Sequence, residues 1–256
     1  MSIHSILDPS GAKRVPAGLC ALGIMTKAPQ AGKVKTRLIP PLTATEAAEL
    51  NICFLRDLSA SIAQACQQSS GAGVGIFTPT SAAALYEDIL PASFFLLPQR
   101  GESFGQRLIF AAEDLFTLGF KSVCLINSDS PTVSASSFAE AAIELANPGD
   151  RVVLGPSQDG GYYLIGLKKV YRRLFEQIDW STPRVLEQTK ARANKSDIPV
   201  YELPFGLDVD DSVTIAQLCD ELFGDSAKLT SHIAPKTRKF LSKIIQRDGR
   251  ERIWPA

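Results

Sequence analysis

Short apolar runs alternate with longer amphipathic segments from Leu19 to about Phe223, and this alternation restricts the possible fold more than any other feature of the chain. A strand that is apolar along its whole length needs cover on both faces, and the amphipathic segments between such runs supply it. The pattern therefore predicts an α/β domain with a mostly parallel central sheet flanked by helices. Residues 19–25, 72–78, 94–97 and 121–127 read as strands, as do 151–155 and 162–167, which the turn 156–161 joins. Helices are predicted over 43–67, where Thr43 and Glu46 have capping-box spacing, over 103–118, which Gly119 ends, and over 134–146. A shorter one covers 81–88. Pro183 is placed at the first helical position of 183–194, and 210–222 reads as the last helix of the alternating core.

Charge excludes some partners. Lys plus Arg and Asp plus Glu number 27 each, so the whole molecule has no electrostatic reason to seek nucleic acid or a membrane surface. The five cysteines are odd in number, lack C-x-x-C spacing and sit mostly among apolar neighbours, which reads as free thiols in a reducing cytoplasm. Residues 58–86 carry no charge, but Gln64, Gln67 and Gln68 interrupt them, and the run 17–25 behind Lys13 and Arg14 is too short for a convincing leader.

Locally the charge is far from even. Between Pro9 and Ala44 stand six cations, Lys13, Arg14, Lys27, Lys33, Lys35 and Arg37, and no acidic residue. Four of them fall in T-K-A-P-Q-A-G-K-V-K-T-R-L, residues 26–38, which leaves the first strand at the edge where open α/β sheets bind ligands. Gly32 would allow close backbone approach to a phosphate, and Arg37 can grip one bidentately. The loop is not a Walker A motif, which needs Gly at Lys27 and Ser or Thr at Val34; no G-x-G-x-x-G joins a strand to a helix either. A solvated basic loop is the plainer alternative.

Acidic residues gather at two further points. Asp129 follows the apolar strand in I-N-S-D-S-P and either caps a turn or holds Mg²⁺ or Mn²⁺, which take oxygen ligands. In D-V-D-D, Asp208 and Asp210 alternate as strand residues do and share a face, while Asp211 can cap the following helix. In G-P-S-Q-D-G-G-Y-Y-L-I-G, residues 155–166, Asp159 with Gly160 and Gly161 forms either a simple hairpin turn or one that meets a sugar hydroxyl. Gln99 and Arg107 flank a strand-to-helix loop and can read a nucleotide or merely start the helix.

Taken in order, M-T-K-A-P-Q-A-G-K-V-K-T-R-L, Q-R-G-E-S-F-G-Q-R, N-S-D-S-P, G-P-S-Q-D-G-G-Y-Y-L-I-G, W-S-T-P-R-V-L and Asp208-Val209-Asp210 resemble the bacterial family called domain of unknown function 2064. That family is glycosyltransferase-like, of the GT-A fold, and some members are labelled arsenosugar-biosynthesis glycosyltransferases. The resemblance runs from about Leu19 to Leu222. It implies a single Rossmann-like domain of the nucleotide-diphospho-sugar transferase superfamily over 19–224; an N-terminal extension over 1–18 and a basic helical extension over 225–256 are read from the sequence itself, and the tail inherits nothing from the resemblance. It also implies that Lys33, Lys35 and Arg37 wrap a nucleotide diphosphate and that Asp129 is the metal-binding aspartate, with Asp208 and Asp210 the later acidic pair. Two departures are a single Asp at Ser128-Asp129-Ser130 where many glycosyltransferases have D-x-D, and D-S-V-T after Asp210 in place of the family's usual T-P-E-D.

The expected protein is thus a cytoplasmic glycosyltransferase that moves a sugar from a nucleoside diphosphate sugar to a small acceptor, aided by Mg²⁺ or Mn²⁺. Lys27, Gly32, Lys33, Lys35, Arg37, Gln99 and Arg107 would serve the nucleotide and its phosphates. Gly160, Gly161, Trp180, Ser181 and Thr182 would lie on the acceptor side, with Asp159 as general base. The alternatives are a nucleotidyltransferase using a nucleoside triphosphate and a nucleotide- or sugar-binding protein without turnover. The tail from Ala227 carries eight cations, with Phe240, Leu241, Ile244 and Ile245 at helical spacing. It is expected to dock on the domain, with a homodimer as the other use of its apolar stripe, and to be dispensable for nucleotide binding.

Overall fold

Strand β1, Cys20–Lys27, is buried along almost its whole length because it lies in the middle of the sheet with helices on both faces. The computed structural model describes residues 3–224 and 233–255. β1 pairs in parallel with β2, Gly71–Thr78, and with β4, Ser122–Ile126, while β2 pairs in parallel with β3, Phe95–Pro98. β5, Val152–Pro156, and β6, Tyr162–Leu167, form the expected hairpin, and β6 runs antiparallel to both β4 and β5. A short β7, Val200–Glu202, completes the sheet in the order β3-β2-β1-β4-β6-β5-β7. The chain winds outward from β1 through β2 to β3 and then returns to the other side of β1 as β4. That reversal opens a crevice beyond the carboxyl ends of β1 and β4.

Six α-helices are described: α1, Ala44–Gln68; α2, Phe104–Thr117; α3, Ala135–Ala146; α4, Val185–Lys195; α5, Ser212–Phe223; and α6, Pro235–Asp248. The Thr43 and Glu46 capping box forms as the spacing predicts. Alternate strand residues feed two cores: Leu22, Ile24, Cys124 and Ile126 pack with residues of α1 and α3, and Ala21, Ile76, Val123 and Leu125 with residues of α2 and α4. All five cysteines are free. Among the described residues no helix is long and apolar enough to cross a membrane.

Three local expectations need correction. Pro183 precedes the cap Arg184 and lies outside α4, which starts two residues later than predicted. Residues 80–86 form a 3₁₀ rather than an α-helix. Asp208–Asp210 belong to no strand; the backbone N–H of Val209 donates to the carbonyl of Asp129 at 2.9 Å and ties the segment to the loop after β4. The alternation survives even so, because Val209 is fully buried while the two aspartates flank it.

A third core joins Leu38, Leu50, Phe54, Leu207 and Val209 to Leu241, Ile244 and Ile253 of the C-terminal segment. The apolar stripe of α6 is therefore covered within the chain, with Leu241 and Ile244 buried and Phe240 and Ile245 partly so. Ala227, Lys228 and His232 lie outside the described residues. The cap position of α6 is Ala234, which has no side-chain oxygen, and Asp57 of α1 replaces it by accepting the N–H groups of Lys236 at 3.0 Å and Thr237 at 2.8 Å. At the other end Glu46 accepts from Arg247 and Arg252, and Arg252 also donates to the Pro41 carbonyl at 3.1 Å.

The Arg252 hydrogen bond, opposed by burial and helped by the Thr43 N–H and by Arg247, holds Glu46 down from its ordinary 4.5 to about 2. A carboxylate lowered in this way stabilises the fold fully above about pH 4.5 and loses that contribution as pH falls toward 2. Glu46→Gln is expected to lower Tm by about 2–4 °C at pH 7. Thermal unfolding of both proteins between pH 7 and pH 2 should show the gap closing on acidification.

Candidate functional site

The loop that leaves β1 turns back on itself before α1. Lys35 adopts a left-handed conformation with φ 49°, a 3₁₀ turn follows over Thr36–Leu38, and fully buried Leu38 ties the turn to the third core. Gly32, with φ +71°, supplies a left-handed position that other residues rarely occupy. It lines neither cavity, and a Cβ there would meet nothing within 4 Å, so the left-handed backbone is what calls for glycine. Lys27, Lys33, Lys35 and Arg37 do converge, around a cavity of about 250 Å³ that Asn51, Asp129 and Asp210 complete. A second cavity of about 540 Å³ adjoins it and shares Lys27, Arg37, Asp129 and Asp210.

Asp129, Asp208 and Asp210 each place a carboxylate oxygen within 4.8 Å of the others. Asp129 arrives from the loop after β4, and the Val209–Asp129 backbone tie brings the other two across. The Asn127 amide donates to Asp208 at 3.1 Å, and the Ser128 hydroxyl to Asp129 at 2.9 Å. Burial, then the charges of Asp129 and Asp210, push the Asp208 carboxyl up to about 8. Three hard carboxylates and no nitrogen or sulfur ligand form a donor set suited to Mg²⁺ or Mn²⁺.

Lys35 departs furthest from expectation. Its side chain is only 4% exposed, and its ammonium lies 2.7 Å from Asp129, 3.1 Å from Asp210 and 2.6 Å from the Val209 carbonyl. Burial opposes the charged form, but the carboxylates outweigh it and hold the pKa above the ordinary lysine value. All three N–H donors are engaged by the protein, so Lys35 has none left for a phosphate. Arg37 is different: it is 71% exposed and meets Asp210 only at 3.7 Å. Lys33 makes no side-chain hydrogen bond or ion pair among the described residues.

The larger cavity gathers residues expected to serve opposite sides of a ligand. Gln99, Arg107, Asp159, Gly161, Trp180, Ser181 and Thr182 all line it. The Gln99 amide nitrogen donates to the carbonyls of Thr26 and Ile76 and so braces the ends of β1 and β2, while Arg107 donates to Gly101 at 3.3 Å. Asp159 accepts the Ser157 hydroxyl and, at 3.0 Å, the Gly161 N–H, which closes the turn. Gly160 serves packing: φ is +84° and a Cβ there would sit 2.2 Å from the Pro183 carbonyl oxygen. Trp180 meets Phe104 edge to face at 5.2 Å. Phe104, Asn127 and Asn51 escaped the sequence reading. An asparagine in the buried stripe between Leu50 and Phe54, and an exposed phenylalanine at a helix start, were the signals available.

The fold is an α/β architecture that solved structures share. A crystal structure of a candidate nucleotide-diphospho-sugar transferase from Desulfovibrio desulfuricans G20 superposes with a TM-score of 0.72 at 24% identity, covering 88% of this chain and 99% of that one. CMP:2-keto-3-deoxy-manno-octonic acid synthetase complexed with CTP superposes with a TM-score of 0.50 at 10% identity, over 84% of this chain and 98% of that one. The resemblance to domain of unknown function 2064 holds: the model of that family, described as an uncharacterized protein conserved in bacteria, matches residues 61–182. That span contains Asp129 and the D-G-G-Y-Y-L-I-G run, while the cationic loop and Asp208 and Asp210 lie outside it. No curated protein matches the chain in sequence.

Proposed function

We propose that this protein is a glycosyltransferase that uses a nucleoside diphosphate sugar as donor, a small molecule as acceptor and a divalent cation. The observation that carries the reading is the acidic triad beside Lys33 and Arg37 at the crevice beyond β1 and β4. A departing nucleoside diphosphate gathers negative charge, and cations placed where that charge develops stabilise the transition state more than the ground state. Lys33 and Arg37 serve the diphosphate, and Asp129, Asp208 and Asp210 hold Mg²⁺ or Mn²⁺, which supplies further charge neutralisation. Asp159 takes the proton of the acceptor hydroxyl as its oxygen bonds to the sugar carbon and the bond from that carbon to the diphosphate breaks. Phe104 and Trp180 line the cavity as an aromatic pair. Free thiols support a reducing, cytoplasmic setting.

One observation favours a second reading, nucleotidyl transfer. Lys27, Lys33 and Arg37 surround the smaller of the two adjoining cavities, beside Asp129 and Asp210, and this suits the terminal phosphates of a nucleoside triphosphate. Product analysis decides between them. Incubation with nucleoside diphosphate sugars, Mn²⁺ and a panel of hydroxyl acceptors is expected to release nucleoside diphosphate. Release of pyrophosphate from a triphosphate and a phosphorylated acceptor would establish the other reaction.

Within the proposed site, Arg37→Ala is expected to weaken nucleotide binding about tenfold, the effect of losing one charge-assisted contact. Lys13→Ala should change it by less than about twofold, because Lys13 donates to Ser5 at 3.2 Å and lines neither cavity. Isothermal titration of the two variants with the same nucleotide checks the difference.

A further inference from the structure

We propose that Lys35 is a resident cation of the acidic cluster, standing where a second metal ion would otherwise bind, so that the cluster takes one divalent ion. The inference rests on reading Asp129, Asp208 and Asp210 as a metal site. Its observations are the surroundings of the ammonium and the cavity that it lines.

The ammonium sits in a cage of three oxygens, one from each of Asp129, Asp210 and the Val209 carbonyl, at 2.6–3.1 Å. Two carboxylates and a carbonyl are the ligands a hard divalent ion selects, and here a lysine holds them. The lysine is fixed in place. Its backbone is left-handed, its side chain is 4% exposed, and its ammonium lies 5.6 Å from the centre of the buried Phe54 ring.

Space then limits the stoichiometry. In two-metal sites the ions lie about 3.5–4 Å apart and share carboxylates between them. Lys35 occupies one side of such a pair and leaves Asp208 and the second oxygens of Asp129 and Asp210 for a single ion. An independent feature marks the cavity as a ligand site. The Asn51 side-chain oxygen is buried without a hydrogen-bond partner, and Asn51 lines the same cavity as Lys35, Asp129 and Asp210. A buried acceptor left open there is matched by an ion-bound water.

The test is Mn²⁺ titration of the full chain, followed by electron paramagnetic resonance and calorimetry. The wild type is expected to bind one Mn²⁺ and, with Mn²⁺ in excess, to show an uncoupled signal. Lys35→Met keeps the apolar stem against Phe54 and vacates the oxygen cage, so it should bind two ions that give a spin-coupled pair. One ion in both proteins, with affinity unchanged or weaker in the variant, overturns the proposal while leaving the metal site standing. A coupled pair in the wild type overturns it even if Lys35→Met fails to fold. Absence of Mn²⁺ binding in both proteins, with the variant folded by circular dichroism, removes the metal reading and this inference with it.

Discussion

Asp129→Asn is expected to lower Mn²⁺-dependent nucleotide affinity by at least about 100-fold while leaving the fold intact. Asparagine keeps the size of the side chain and an oxygen for the Ser128 hydroxyl and for Lys35. It removes the charge that a hard cation requires and that one side of the Lys35 cage supplies. Two decades of affinity correspond to about 2.7 kcal/mol, within the range for breaking a charged contact in a desolvated site. Titration with and without Mn²⁺, with circular dichroism as the control for folding, separates this outcome from a structural one. A variant that unfolds would make Asp129 a turn cap and nothing more.

Deleting residues 225–256 is expected to have the other large effect. The sequence treats this segment as an appendage, because every recognisable motif ends before it. The third core reverses that expectation. Leu241, Ile244 and Ile253 are buried there together with Leu38, from the cationic loop, and with Leu207 and Val209, from the acidic one. Each such side chain contributes about 1.5–3 kcal/mol, so losing three approaches the total stability of an ordinary domain. Asp57 would also lose the two backbone N–H groups it caps. A truncate ending at Gly224 should therefore melt at least about 10 °C lower and bind nucleotide more weakly. A truncate with unchanged Tm and affinity would show that the two loops hold their positions without the tail.

Local pattern and tertiary geometry account for what the sequence could and could not reveal. The strands around β1 are legible because both their faces are buried, and α1, α2 and α3 because their caps are explicit in Thr43, Ser103 and Ser134. β7 is not, since three residues at the end of the sheet carry too little pattern. The acidic segment was legible by alternation but not as a loop, because the tie between Val209 and Asp129 spans residues far apart in the chain. Lys35 and Arg37 look equivalent in K-T-R. Only folding shows that one ammonium is enclosed by carboxylates while the neighbouring guanidinium faces solvent. Asn51 stands out as a polar residue in the apolar stripe of α1, but only folding shows the cavity it lines.

Phosphorus resonance of a bound nucleoside diphosphate sugar, recorded with Mg²⁺ and then with Mn²⁺, addresses the central claim most directly. Paramagnetic Mn²⁺ held by Asp129, Asp208 and Asp210 beside the diphosphate should broaden both phosphorus signals severely, and Asp129→Asn should abolish the effect. Sharp phosphorus lines from a nucleotide bound in the presence of saturating Mn²⁺ would contradict the account, because the acidic triad and the cationic loop would then not act on the same ligand.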